Sequence, residues 1–290
     1  MRLAFLGTPE AAAASLDALV HANHDVELVI TRPDRRRGRG SALTPSPVKV
    51  AALALGLRVS HRLADLTSLD VERGIVVAYG AIIPEALLEK IPMLNVHFSL
   101  LPRWRGAAPV QRAILAGDEE TGVTIISLEP TLDTGPIHLE RRVRVDQKTA
   151  SQLTAELATV GADALIEVLA SPRLLDEAAA QVGDVSYAEK LSKETLHVTP
   201  EMTAALALRT VRLGGAYLFV AGQRLGVERA HASDDVVAVG VVAWRDGAVV
   251  LGTSDGAIVL DDVRPEGSTT MTAAAWWAGR RLEDDQRHWS

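Results

Sequence analysis

Asn95 and His97 stand two residues apart at the end of an apolar run, Met93-Leu94-Asn95-Val96-His97-Phe98. Such a run reads as a strand, so the amide and the imidazole project from one face while Leu94, Val96 and Phe98 project from the other. An otherwise apolar strand has little packing reason to set two polar side chains together at its C-terminal end. In an open parallel sheet that end borders the ligand crevice. Asp133 adds a carboxylate: it follows the apolar strand 123–128 and precedes Gly135-Pro136, a tight-turn pair. Amide, imidazole and carboxylate are the parts needed to stabilise an oxyanion and move a proton.

Each of these residues also has a plain reading. A lone histidine is usually a satisfied core residue, and an aspartate before a turn is usually a cap. The strand spacing of Asn95 and His97, with Ser99-Leu100-Leu101-Pro102 directly after, weighs against that reading. Leu132-Asp133-Thr134-Gly135 is also the aspartic-protease signature, but that chemistry needs two such aspartates and this chain carries one copy.

The elements that must hold this group alternate. Residues 2–7 read as a short apolar strand. A helix over 9–20 follows, with Thr8 as its cap and Pro9 at its first position. Strands are expected at 26–30 and 74–80, and helices at 48–55, 84–89 and 150–170. Continuous apolar strands alternating with helices indicate an α/β fold, a Rossmann-like, mostly parallel sheet with helices on both faces. After about residue 200 the pattern changes to a helix at 202–213, then short strands with tight turns at Asp246-Gly247 and Asp255-Gly256, and a last helix at 270–281. The expected domains are 1–170, a connector at 171–200, and a small β-rich domain at 201–290.

Composition narrows the chemistry. A chain of 290 residues, 48% of them hydrophobic, can bury a sizeable core. The absence of cysteine removes disulfides, thiolate nucleophiles and cysteine-bound zinc. His21 and His24 lack a further ligand, so no metal site is expected. Gly7-Thr8-Pro9-Glu10 is not the Gly-x-Gly-x-x-Gly pattern, which argues against a dinucleotide cofactor. There is no signal-peptide pattern and no apolar run near the roughly 20 residues that span a bilayer, so the expected location is the cytoplasm, with no membrane partner. A net charge of −7 means that any RNA contact must use local patches rather than the overall field.

The segment from Asn95 through Pro109, with Leu132-Asp133-Thr134-Gly135, resembles the 10-formyltetrahydrofolate-dependent formyltransferases, and among them those acting on methionyl-tRNA. Further matching motifs are Leu6-Gly7-Thr8-Pro9, Arg32-Pro33-Asp34, Gly38-Arg39-Gly40, Pro45-Ser46-Pro47-Val48-Lys49, Val77-Ala78-Tyr79-Gly80 and Ser186-Tyr187-Ala188-Glu189-Lys190-Leu191. They cover about the first two-thirds of the chain; the last third resembles the family weakly. The resemblance implies attack by the α-amine of initiator methionyl-tRNA on the formyl carbon of 10-formyltetrahydrofolate, a co-substrate, for translation initiation. Asn95 and a His97 N–H would donate to the developing oxyanion, and Asp133 would help receive the amine proton.

For the folate, the resemblance points to Ser99, Leu100, Leu101 and Pro102, with Val77, Tyr79 and Gly80 from the neighbouring strand end. Apolar leucines would wall the pterin and backbone groups would pair with its edge. The loop Arg35-Arg36-Arg37-Gly38-Arg39-Gly40 is also readable as a solvated basic loop. The resemblance makes it the segment that enters the acceptor arm of the tRNA, with Arg39 as its main contact. It narrows the C-terminal domain to an OB-like, tRNA-binding barrel, and the protein is expected to act as a monomer.

Three features pull the other way. Phe98 occupies a position that is often small in the family, but it faces away from the pair. The segment near Gly214-Gly215-Ala216 looks shortened. Residues 205–290 hold nine arginines and no lysine against eleven carboxylates, where the family's C-terminal domain is usually basic. The rival readings are a relative that formylates an amino sugar or a glycinamide nucleotide, and a non-catalytic RNA-binding protein.

Overall fold

In the computed structural model the apolar runs of the first half of the chain pair into one seven-stranded sheet. The description covers residues 1–36, 43–280 and 287–290. The strand order is Ile137–Arg144, Glu120–Ser127, Met93–His97, Arg73–Val77, Arg2–Gly7, Asp25–Ile30 and Val59–Ser60. The last five run parallel, and Glu120–Ser127 and Ile137–Arg144 join antiparallel at one edge. This mostly parallel sheet is the architecture that the continuous apolar runs imply.

Both faces are covered. Ala4, Leu6, Val76 and Met93 pack with Leu66 and Leu87 on one face. On the other, Gly161 of the helix Ala150–Ala170 comes so close that an added Cβ would lie 2.8 Å from Val96 and 3.5 Å from Phe98. Phe98 therefore faces away from Asn95 and His97, as strand alternation requires. Each fully buried leucine or phenylalanine of this core contributes about 1.5–3 kcal/mol.

One helix start is capped locally, and another is not. Ser46 caps the helix Pro47–Ala54, accepting from the Lys49 N–H at 3.0 Å, with Pro47 at the first position. Thr8 does not cap the helix Glu10–His21. Its hydroxyl donates to the Tyr79 carbonyl at 3.0 Å, joining two loops at the C-terminal edge of the sheet. The Ala-rich helix forms without that cap because its composition favours it. The strand expected at 74–80 ends at Val77, since Ala78 (φ 45°) and Gly80 (φ 76°) turn the chain.

The described residues fall into two compact units: Met1–Val110, Glu119–Arg144 and Leu153–Glu189 in one, and Gln111–Asp118, Val145–Gln152 and Lys190–Ser290 in the other. The second unit holds an antiparallel sheet in the order Tyr217–Val220, Gln223–Ser233, Ala257–Pro265, Ala248–Gly252, Val242–Arg245. Asp246 and Gly247 form a two-residue hairpin turn with φ 46° and 85°, the positive angles that an Asp-Gly turn supplies. The C-terminal residues curl the sheet. Trp289 bridges Val220 on one edge strand, and His288 bridges Val241 next to the other. The outcome is a curled half-barrel around Leu218, Val227, Val249, Ile258 and Trp289.

Candidate active site

Asn95 lies opposite Val76 on one side and Ile126 on the other, deep in the sheet, and His97 lies opposite Thr124. Both side chains are at least nine-tenths buried. Asp133 reaches them from the loop after Glu120–Ser127. Its Oδ1 lies 3.5 Å from Asn95 Nδ2, and its Oδ2 lies 3.6 Å from His97 Nδ1. The three polar residues that spacing and turn chemistry single out thus form one cluster at the C-terminal edge of the parallel strands.

Asp133 adopts φ 50°, a left-handed conformation that aspartate tolerates better than most residues. The Gly106 N–H donates to Asp133 Oδ2 at 2.8 Å. Gly106 has φ 117°, and a Cβ there would lie 3.0 Å from the Ala188 carbonyl, so glycine permits the close backbone approach. Gly135 is tighter, since a Cβ there would fall 1.8 Å from the Ser127 carbonyl.

The His97 ring is oriented by a backbone group. Nε2 lies 2.9 Å from the Trp104 carbonyl, which can only accept. The ring proton therefore belongs on Nε2, and the neutral imidazole turns its Nδ1 lone pair toward Asp133. In this arrangement the Nε2–H already has an acceptor, which differs from the expectation that a His97 N–H faces the formyl oxygen. Asn95 keeps a second amide N–H beyond the one that faces Asp133.

The expected folate residues are placed unevenly. Thr124 Oγ1 donates to the Ser99 carbonyl at 2.7 Å and accepts from the Leu101 N–H at 3.2 Å. Ser99 Oγ donates to the Arg103 carbonyl, and the Arg103 N–H to the Leu100 carbonyl. The segment Ser99–Pro102 is thus a self-bonded turn, with Leu100 half-buried and Pro102 buried. Val77 and Tyr79 are buried, Tyr79 within the sheet-face cluster, while Ala78 and Gly80 are exposed at the strand end.

Of the basic loop, Arg35 and Arg36 are exposed and pair antiparallel with Leu43–Thr44. Arg37, Gly38 and Arg39 lie outside the described residues. The two motifs flanking the loop are tied by an ion pair, Asp34 Oδ2 to Lys49 Nζ at 2.7 Å. Among the described residues, no cluster of three histidine or acidic side chains forms a metal site, and no helix is long and apolar enough to cross a membrane. A cavity of about 530 Å³ lined by Phe219, Gln223, Arg224, Glu266 and Arg280 belongs to the second unit and contains none of the site residues.

One polar residue of this site escaped the sequence reading. Gln181 donates to the carbonyls of Asp133 and Gly135, and accepts from Arg105. No local pattern marks it, because it sits in a connector without hydrophobic periodicity.

Comparisons with known proteins show the family to which the chain belongs. The family model described as formyl transferase matches residues 1–169, and that of the formyl transferase C-terminal domain matches residues 190–281. A curated methionyl-tRNA formyltransferase of Thiobacillus denitrificans is 43% identical over 309 aligned residues, covering 99% of each chain. The fold is shared with a methionyl-tRNA formyltransferase from Clostridium thermocellum, with TM-score 0.56, 15% identity, and 81% and 95% of the two chains covered. It is shared too with HypX from Aquifex aeolicus in complex with tetrahydrofolic acid, with TM-score 0.66 and 21% identity, covering 95% of this chain and 46% of that one. With both halves matched and full-length relatives above 40% identity, the chain belongs to the methionyl-tRNA formyltransferase family of formyl transferases.

Proposed function

We propose that this protein transfers the formyl group of 10-formyltetrahydrofolate to the α-amine of initiator methionyl-tRNA, and that Asn95, His97 and Asp133 carry the chemistry. The observation that supports this most is the buried convergence of amide, imidazole and carboxylate within 3.6 Å in a chain of this family. The amine nitrogen bonds to the formyl carbon, and the carbonyl π pair moves to oxygen. The free N–H of Asn95 donates to that oxyanion, a contact worth about 10²–10³ in rate. The amine proton passes to His97 Nδ1, where Asp133 stabilises the resulting imidazolium, or to Asp133 through water. Collapse of the intermediate breaks the bond to N10 of the folate, which takes up a proton as it leaves.

Leu100 fits an apolar wall for the pterin. The exposed backbone at Ala78 and Gly80 fits its hydrogen-bonding edge better than the groups of Ser99 and Leu101, which Thr124 engages. The chemistry needs no metal. The arginine loop around Arg39 and the C-terminal unit are assigned to tRNA, and the protein to the cytoplasm as a monomer. Domain limits of 1–170 and 201–290, joined by a connector, are kept as part of this reading.

The test is a formylation assay that offers initiator methionyl-tRNA beside a nucleotide-linked amino sugar and a glycinamide nucleotide. Turnover on the charged tRNA alone supports the proposal. Turnover on a small amine alone, or RNA binding without formyl transfer, would sink it.

A further inference from the structure

Asp133 is held at both its ends by one closed hydrogen-bond circuit. Its carboxylate accepts from the Gly106 N–H at 2.8 Å. Its backbone carbonyl accepts from Gln181 Nε2 at 2.8 Å, and the same amide nitrogen donates to the Gly135 carbonyl at 2.9 Å. Gln181 Oε1 accepts from Arg105, at 3.1 Å from Nε and 2.6 Å from Nη2. Arg105 is the residue before Gly106, so the circuit closes. The chemistry allows one amide orientation: a guanidinium can only donate, and backbone carbonyls can only accept. Both N–H groups of Gln181 are therefore committed to the turn that places Asp133 in its left-handed conformation.

We propose that Gln181, oriented by Arg105, is a positioning residue for the formyl-transfer reaction. It fixes the Asp133 turn so that the carboxylate stays aligned with His97 Nδ1. Asp133 holds φ 50° in this loop, and Gly135 packs directly against the Ser127 carbonyl. Gln181 supplies the donors that the loop itself lacks. The inference rests on the reading of Asp133 as the group that manages the amine proton.

The experiment compares Gln181→Ala, Gln181→Glu and Asp133→Asn with the parent enzyme, measuring kcat, both KM values and the melting temperature. Gln181→Glu keeps the shape and the acceptor for Arg105 but offers no N–H to the two carbonyls. Both Gln181 variants are expected to fold, to keep KM for folate and tRNA, and to lose about ten- to a hundredfold in kcat, the scale of a small misplacement of a reacting group. A fall in kcat with unchanged KM values is the readout that a merely structural role would not give. Parental kcat in Gln181→Glu would show that shape alone matters and overturn the positioning role. Parental kcat in Gln181→Ala, or loss of folding in both variants, would overturn it as well. An inactive Asp133→Asn beside fully active Gln181 variants removes this inference and leaves the proposed function standing. A fully active Asp133→Asn removes both.

Discussion

His97 and Asp133 face each other across 3.6 Å, while the Trp104 carbonyl holds the far nitrogen of the same imidazole at 2.9 Å. The carbonyl fixes the tautomer, and the tautomer decides which ring nitrogen is free to take a proton. That nitrogen is the one beside the carboxylate, so a proton arriving there is met by a negative charge in a buried setting, where attraction is stronger than in water.

Replacing Asp133 with asparagine removes this charge and little else. Asparagine tolerates positive φ, and its side-chain oxygen can still accept from the Gly106 N–H. The expected loss in kcat is about 10²–10⁴, the usual worth of a positioned proton-transfer group. Single-turnover formylation with saturating substrates measures it; a rate within a factor of two of the parent would remove Asp133 from the chemistry.

Asn95→Ala deletes the amide assigned to the oxyanion. The fold should hold, because the 3.5 Å contact to Asp133 is weak and the Gly106 bond remains. The rate should fall by about 10²–10³. Equal melting curves with an undiminished kcat would reassign the oxyanion donor.

Gly135→Ala tests the loop that carries the carboxylate. An added Cβ would fall 1.8 Å from the Ser127 carbonyl, so backbone must shift. We expect a destabilisation of about 0.5–3 kcal/mol, typical of a forced backbone change, together with lost activity. Denaturant melts read the first effect and formylation assays the second. Unchanged values in both would mean that the loop sits elsewhere in solution.

Arg39→Ala should leave folate binding intact, because a surface loop carries little core packing. It should impair formylation of tRNA. A bidentate base contact would lower discrimination between initiator and elongator methionyl-tRNA by roughly 1–3 kcal/mol. A phosphate contact would weaken both alike and reduce the salt dependence. Unchanged kinetics on both tRNAs at two salt concentrations would return the loop to a solvated surface role.

His24 gives a pH dependence of stability. Burial first, and then the N-terminal ammonium, hold its pKa below the usual histidine value, and its Nδ1 is buried without a partner. The folded state thus prefers the neutral ring. This contribution is fully present above the ordinary histidine pKa of about 6.5. It is lost as pH falls from there through the lower folded-state value. Unfolding midpoints measured from pH 7.5 to 5 should drop less steeply in His24→Gln than in the parent; parallel curves would show that His24 is silent.

Much of the site was legible because its signals are local. Asn95 and His97 share a face by the two-residue period of a strand, and Asp246-Gly247 turns a hairpin by its own backbone preferences. The same alternation puts Phe98 on the far face, where it packs against the helix at Gly161. Tertiary structure decided what local signals cannot carry. Thr8 carries the residue type of a cap, yet its hydroxyl goes to the Tyr79 carbonyl, 71 positions away, because the two strand ends lie side by side in the sheet. The Trp104 carbonyl sets the His97 tautomer, and Thr124 engages the backbone of Ser99 and Leu101. Gln181 reaches Asp133 across 48 positions from a stretch with no periodicity. Hydrogen bonds of this kind join groups whose separation in the chain has no fixed relation to their distance in space. The residue types of the site are therefore written in the sequence, while their alignment exists only once the sheet and its loops have formed.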